Sequence, residues 1–204
     1  MKKVSVIIPV YNQEDLVIRA IESIPKRDDI EVIVIDDGST DNTWERLKEY
    51  SQKEKTNYLL VKNSENKGVA YTVNRGYDLA TGRYVVLLGS DDYFYTDKFE
   101  ECMEKLNGTD LVYFDMQVNN GDIWDINEKS KMVLVGSVKF MRRKFIGDTR
   151  CPEEKQSGED KPFYHQLLEK NPTEKFTHIV VKHYNHPREG SLTDLVRKGI
   201  IKDE

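Results

Sequence analysis

Cysteine is almost missing from this chain. Cys102 and Cys151 are its only two in 204 residues. They leave no spacing for a zinc site and no basis for a disulfide framework, so a reducing cytoplasm is the expected compartment. Long hydrophobic runs are missing as well. No apolar stretch is long enough to span a bilayer, and Met1-Lys2-Lys3 leads straight into Val4–Val10, without the longer apolar region and small-residue cleavage site of a signal peptide. There is no excess of positive charge: the net charge is -5 with 33% charged residues, which argues against nucleic acid as the main partner. Gly-x-Gly-x-x-Gly and the phosphate-cradling P-loop are both absent, which removes the dinucleotide-binding fingerprint. No internal repeat and no linker divides the chain, so 1–204 is expected to form one domain.

What is present is an alternation of short apolar runs and helical patterns. Val4–Val10 is a β-branched run, ended as a buried strand by Pro9. Gln13–Ile24 carries Leu16, Ala20 and Ile24 at helical spacing, stopped by Pro25. Glu31–Ile35 is a second buried strand. Asn42 and Glu45 are spaced for a capping box, opening a helix to about Tyr50. Asn57–Val61 predicts a third strand. Val69, Val73, Tyr77 and Ala80 share one helix face, with Gly82 as its C-terminal stop. Tyr84–Leu88, too short for a helix, is the central strand. Alternating strands and helices predict an α/β fold with a doubly wound, mostly parallel, Rossmann-like sheet.

Beyond Asp92 the pattern changes. Asp97–Leu106 predicts a helix with Phe99, Met103 and Leu106 inward, and Asp110–Phe114 a strand. Met116–Val135 reads as a hairpin or meander. Ser137–Phe145 predicts a helix carrying Arg142, Arg143 and Lys144, which form a solvated face or a rest for anionic lipid. Thr149–Gly158 is a polar loop, Lys161–Glu169 a helix packed through Phe163, Leu167 and Leu168, and Ile179–Val181 the last strand.

Three strands end in polar clusters: Tyr11-Asn12, Asp36-Asp37 and Gly89-Ser90-Asp91-Asp92. In open parallel sheets, ligands bind beyond the carboxyl ends of the strands. Adjacent carboxylates there repel each other unless a cation or a donor-rich ligand lies between them, and hard oxygen ligands suit Mg2+ or Mn2+. Ser and Asp also favour turns and caps, so the cluster alone is equally a turn. Gly68, at a helix start, offers backbone N–H groups and a positive dipole end to a phosphate. Together these describe a nucleotide-diphosphate site.

In their order and wording the motifs resemble those of family 2 glycosyltransferases with the GT-A fold. The matching segments are Val4 to Asn12, Val34 to Asp41, Glu65 to Ala70, Asn74-Arg75-Gly76, Ala80 to Tyr84, Gly89 to Asp92 and Gly158-Glu159-Asp160. The resemblance implies a nucleotide-sugar-binding half, 1–95, and a small C-terminal acceptor-side region, 96–204. It implies an inverting transfer of sugar from a nucleotide-diphosphate sugar, a UDP-sugar by its base contacts, to a hydroxyl on a glycan or lipid-linked saccharide. Pro9 and Tyr11 would flank the base, with Asn12, Lys67, Gly68 and Ser90 also on the donor side, and Asp37 would accept from the uracil ring. Asp92 would bind a divalent metal (Mn2+ or Mg2+), with Asp91 shared between ribose and metal. Gly89 stands where the family's first acidic position lies. His186 would touch diphosphate or metal, and Asp160 would be the general base, although Asp before Lys161-Pro162 is also a good helix cap. The resemblance further implies peripheral contact with the inner face of a membrane. Trp44 and Trp124 are expected in packing, with Trp124 also placed to stack on an acceptor sugar. Two other readings stand beside this one: a nucleotide-sugar-binding module without turnover, and a phosphatase-like enzyme suggested by Asp36-Asp37-Gly38-Ser39-Thr40.

Overall fold

The alternating burial of the first strand sets the architecture. In β1 (Val4–Val10) the side chains of Val4, Val6, Ile8 and Val10 enter one core and Ile7 enters the other. Period-two side chains on a β-branched run buried on both faces require helices above and below. A computed structural model of the chain describes residues 3–53, 58–130, 135–153 and 160–200. β2 (Ile30–Asp36), β3 (Tyr58–Lys62) and β4 (Tyr84–Leu87) join β1 in parallel, β1 lying between β2 and β4. One core is closed by α1 (Val17–Glu22), α2 (Thr43–Lys53) and α4 (Thr96–Met103). The other is closed by α3 (Val69–Leu79), α5 (Arg143–Ile146) and α6 (Asp160–Leu168), through Val73, Tyr77, Ile146, Phe163 and Leu167.

The remaining strands are β5 (Tyr93–Phe94), β6 (Leu111–Val118), β7 (Ile123–Trp124), β8 (Lys139–Arg142) and β9 (Glu174–Tyr184). Among the described residues the sheet runs β3-β2-β1-β4-β8-β6-β9-β5, with β7 paired to β6. β8 enters antiparallel between β4 and β6, and β9 lies parallel to β6. Strands from both halves of the sequence therefore share one mixed, mostly parallel sheet. A short helix, α7 (Leu192–Arg197), follows.

Several local expectations are corrected. Ser137–Phe145 is not one helix: a 3-10 turn at Gly136–Val138 leads into β8 and then α5. Phe140 and Met141 enter opposite cores, which only a strand allows, and Lys139 is buried with its Nζ donating to Val135 O at 2.7 Å. β9 is far longer than Ile179–Val181, because a register shift near Asp115 and the positive φ of His178 break its apolar period. The expected capping box does not form. Glu14 takes the Asn42 N–H, while Glu45 pairs with Lys48. Arg142 is committed to Asp110 and Arg143 Nε donates to the Gly82 carbonyl, while Arg143 and Lys144 remain exposed on the surface. Asn57, residues 154–158 of the polar loop, 131–134 of the expected meander, and Glu159 lie outside the described residues.

Gly82 is also reassigned. α3 ends at Leu79, and Gly82 caps nothing. A Cβ there would lie 2.6 Å from the Ser5 backbone nitrogen, and strand backbone cannot step aside. Gly82→Ala is expected to cost roughly 1–3 kcal/mol through overpacking, lowering the melting temperature by roughly 3–10 °C. An unchanged melting temperature by calorimetry would show that β1 tolerates the side chain.

Candidate active site

The order β2-β1-β4, all parallel, brings three strand ends to one edge of the sheet. The three polar clusters expected from sequence meet there. Asn12 takes a positive φ of 50 and links the first two ends: Thr40 N–H donates to its Oδ1 at 2.8 Å, and its own N–H donates to Ser39 Oγ at 3.0 Å. Tyr11 stands out from this edge, 41% exposed, next to the partly buried Pro9.

Asp37 is engaged within the protein. Its Oδ1 accepts from Asn63 Nδ2 at 2.7 Å and Lys67 N–H at 2.9 Å, and its Oδ2 accepts from Gly68 N–H at 2.9 Å. The expectation of unpaired N–H groups at Gly68 is therefore corrected, since a buried carboxylate draws donors from the nearest backbone. Lys67 Nζ pairs with Glu65. Asp36 is fully buried; Ser39 N–H donates to its Oδ1 at 2.6 Å, while its Oδ2 has no partner among the described residues.

At the end of β4, Ser90 is buried, and Asp91 and Asp92 are neutralised from the far side of the chain. Lys182, on β9 and wholly buried, donates from Nζ to Asp92 Oδ2 at 2.9 Å and to Ser137 Oγ at 2.7 Å. Asn185 N–H donates to Asp92 Oδ1 at 2.9 Å. Arg188 Nε donates to Asp91 Oδ2 at 2.7 Å, and Arg19 donates to the Asp91 carbonyl at 2.6 Å. Burial raises the Asp91 carboxyl above its ordinary range, the neighbouring Asp92 charge adds to this, and Arg188 opposes it. Lys182 and Arg188 belong to no motif. Their one signal in sequence is a pair of carboxylates in need of counter-charge and a lysine directly after the apolar Ile179–Val181.

The chemistry of this donor set decides how well it suits a divalent cation. Asp91 Oδ2 accepts from Arg188, and this pair is more exposed than that of Asp92, so Asp91 fits as a ligand. Asp92 has both oxygens taken. His186 stacks on Tyr184, centroids 5.2 Å apart, and tilts against Trp124 at 5.6 Å. Among the described residues, the three metal-type ligands whose atoms lie within 4.8 Å of one another are Asp115, Asp125 and His178, so Asp91, Asp92 and His186 form no such group.

Asp160 opens α6 and accepts from Gly136 N–H at 3.2 Å through Oδ2. Burial pushes its carboxyl up, against the pull of the Gly136 donor and the Lys139 charge. Gly136 and Ser137 therefore touch both acidic groups, Gly136 through Asp160 and Ser137 through the Lys182–Asp92 pair. Beside them lies a cleft of about 220 Å³ lined by Met116, Trp124, Ser137, Lys182, Tyr184 and His186. No helix among the described residues is long and apolar enough to cross a membrane.

The same fold and motifs recur in known proteins. An uncharacterized glycosyltransferase of Rickettsia felis is 37% identical over 133 residues, 64% of this chain and 21% of that protein. The Escherichia coli protein named UDP-Glc:alpha-D-GlcNAc-diphosphoundecaprenol beta-1,3-glucosyltransferase WfaP is 34% identical over 116 residues, 56% of this chain and 45% of its own length. The chain thus spans from a fifth to under half of these relatives. Among solved structures, S. aureus TarS 1-349 in complex with UDP-GlcNAc superposes with a TM-score of 0.79 at 24% identity, covering 93% of this chain and 60% of that one. The mannosyltransferase PcManGT from Pyrobaculum calidifontis, in complex with GDP-Man and Mn2+, gives 0.75 at 20% identity, covering 96% and 60%. The family model of Glycosyl transferase family 2 matches residues 5–176, and the chain belongs to that family.

Proposed function

We propose that the chain catalyses inverting transfer of a sugar from a uridine-diphosphate sugar to a hydroxyl of a glycan or lipid-linked saccharide, with Asp160 as general base. The observation that carries this reading is the shared Gly136–Ser137 turn. It holds a partly buried carboxylate with a raised proton affinity and, through Lys182, is tied to the acidic end of β4. The named donors of WfaP and of the TarS complex support the uridine nucleotide, and the acceptor in WfaP's name supports a lipid-linked saccharide.

On the donor side, Pro9 and Tyr11 flank the base. Asp37 uses three of its roughly four lone-pair positions internally, which leaves Oδ2 one acceptance for the uracil N–H. Asn12 and Ser90 shape the edge on which ribose and diphosphate rest. A divalent cation supplies positive charge to the departing diphosphate, and Asp91 is the side chain suited to hold it. On the acceptor side, Trp124, Tyr184 and His186 form an aromatic wall beside the cleft, suited to the C–H face of a sugar ring.

In the chemical step the acceptor hydroxyl oxygen bonds to the anomeric carbon as its proton passes to the Asp160 carboxylate. The bond from the anomeric carbon to the diphosphate oxygen breaks, the electron pair leaves with the diphosphate, and configuration inverts. Asp160 then returns its proton to water. A carboxylate whose proton affinity is raised by burial is a better base than an ordinary one.

Saturating UDP-sugar, at about a hundred times its dissociation constant, should raise the melting temperature by about 5–10 °C, more than GDP- or ADP-sugars do. Equal shifts from all three would sink the uridine assignment.

Asp160→Asn should keep donor binding and lose on the order of 10²–10⁴-fold in transfer or donor hydrolysis. The raised carboxyl also has a thermodynamic signature. Its ionised form is disfavoured in the fold, so its favourable contribution is complete below the unfolded value near 3.9 and is lost as pH rises through the higher folded value. Asp160→Asn, whose Oδ1 can still accept from Gly136, should be at least as stable as the parent at pH 7, with the difference fading below about pH 4. Turnover within about threefold of the parent would reduce Asp160 to a helix cap.

A further inference from the structure

The counter-charge at Asp92 is part of the chain itself. The Lys182 ammonium is wholly buried and divided between Asp92 Oδ2 at 2.9 Å and Ser137 Oγ at 2.7 Å, with the Tyr184 ring centroid 5.0 Å away. Asn185 N–H fills the other oxygen of Asp92 at 2.9 Å. A side chain at position 89 would crowd the pair, because a Cβ at Gly89 would lie 2.9 Å from Asp92 Oδ2 and 3.1 Å from Asp91 Oδ1. The two carboxylates and the two cations Lys182 and Arg188 already balance. The pairs are unequal, however. Lys182 and Asp92 are sealed, with side chains 0% and 4% exposed, whereas Arg188 and Asp91 are 25% and 19% exposed.

We propose that Lys182 is a resident cation standing at Asp92 where a metal would otherwise bind. Asp92 is then a positioning residue that ties the end of β4 to β9, and a divalent cation reaches this site only at Asp91, in exchange for Arg188. The proposal rests on the donor-site reading of Asp91 and Asp92, but it concerns which oxygens are open and is tested apart from turnover. A sealed ion pair surrenders a partner only by leaving the other charge buried and alone, which is strongly unfavourable. The partly exposed Arg188 loses less when its guanidinium turns to water.

The experiment is Mn2+ titration of the full chain by electron paramagnetic resonance, with and without uridine diphosphate, on the parent and three variants. Lys182→Met removes the resident charge and should tighten Mn2+ about tenfold by freeing Asp92. The double variant Lys182→Met/Asp92→Asn removes the pair together, leaves no orphan charge, and should bind Mn2+ within about threefold of the parent. Asp91→Asn should lose about tenfold or more. Circular dichroism reports which variants fold; if Lys182→Met does not, the double variant decides alone. Unchanged or weaker Mn2+ binding by folded Lys182→Met would overturn the proposal, as would a tenfold loss in the double variant. If the parent binds no Mn2+, its appearance in Lys182→Met supports the resident cation and its absence overturns it. Uridine diphosphate failing to bind the parent would refute the donor reading, and the Mn2+ arms would still decide the role of Lys182.

Discussion

Two carboxylates side by side at the end of a buried strand cannot stay charged without a cation, and the rest of this molecule is arranged around supplying one. Asp92 lies at the end of β4 and Lys182 in β9, ninety residues later in the chain. Their contact is sealed from water, where neither charge tolerates being alone. It draws β9 across the sheet beyond β8 and β6, and Tyr93–Phe94 pairs with Lys182 and His183 immediately beside it. The junction between the two halves of the chain is thus an ion pair placed at the acidic strand end.

The same rule acts on a smaller scale at the neighbouring strand. Asp37 would also be an isolated charge after β2. It gathers Asn63, Lys67 and Gly68 and so fixes the loop that launches α3. Gly38 permits this closeness: its φ is 71, and a Cβ there would strike the Glu65 backbone at 2.5 Å. The residue proposed to meet the donor base also serves as a structural staple. Removing its side chain would therefore disturb the loop along with any nucleotide contact, and Asp37→Ala is a poor probe of base recognition alone.

The first half of the fold was legible in sequence for physical reasons. Strands buried on both faces must be apolar throughout, their ends must turn, and turns favour Gly, Asp and Asn. β4 shows this pattern without interruption, and β1 and β2 interrupt it only at Ser5 and Glu31 before their ends. The second half hides its strands behind lysines. Lys139 sits wholly buried in β8 and Lys182 in β9, and both make the sequence look solvent-facing. Arg142, Arg143 and Lys144 complete an apparent amphipathic helix where the chain forms a strand and a short helix. The bulge near Asp115 breaks the period that would reveal β6 and β9 at full length. Among the site residues, the strand-end clusters were recoverable because topology alone brings them together. The partners of Asp91 and Asp92 were not, since counter-charge can come from any distance along the chain and leaves no spacing to read.

The Gly136–Ser137 turn shows why the two halves must be positioned together. A nucleophile and its base have to meet the anomeric carbon within a fraction of an ångström, and displacement by about 1 Å can cost on the order of a hundredfold in rate. Gly136 fixes the Asp160 carboxylate through one N–H, and the adjacent Ser137 is fixed by Lys182, itself held by Asp92. The path from the acidic strand end to the Asp160 carboxylate therefore runs through Lys182, Ser137 and the Gly136 backbone, all of it buried or partly buried. The Tyr164 hydroxyl donates to the Gly136 carbonyl at 3.3 Å, and its ring lies 3.5 Å from Lys139 Nζ, so the turn is also braced from the core side. Such a turn cannot move toward the cleft without breaking a bond at each end. Of the two ion pairs at the acidic strand end, that of Arg188, beyond β9, is the more exposed.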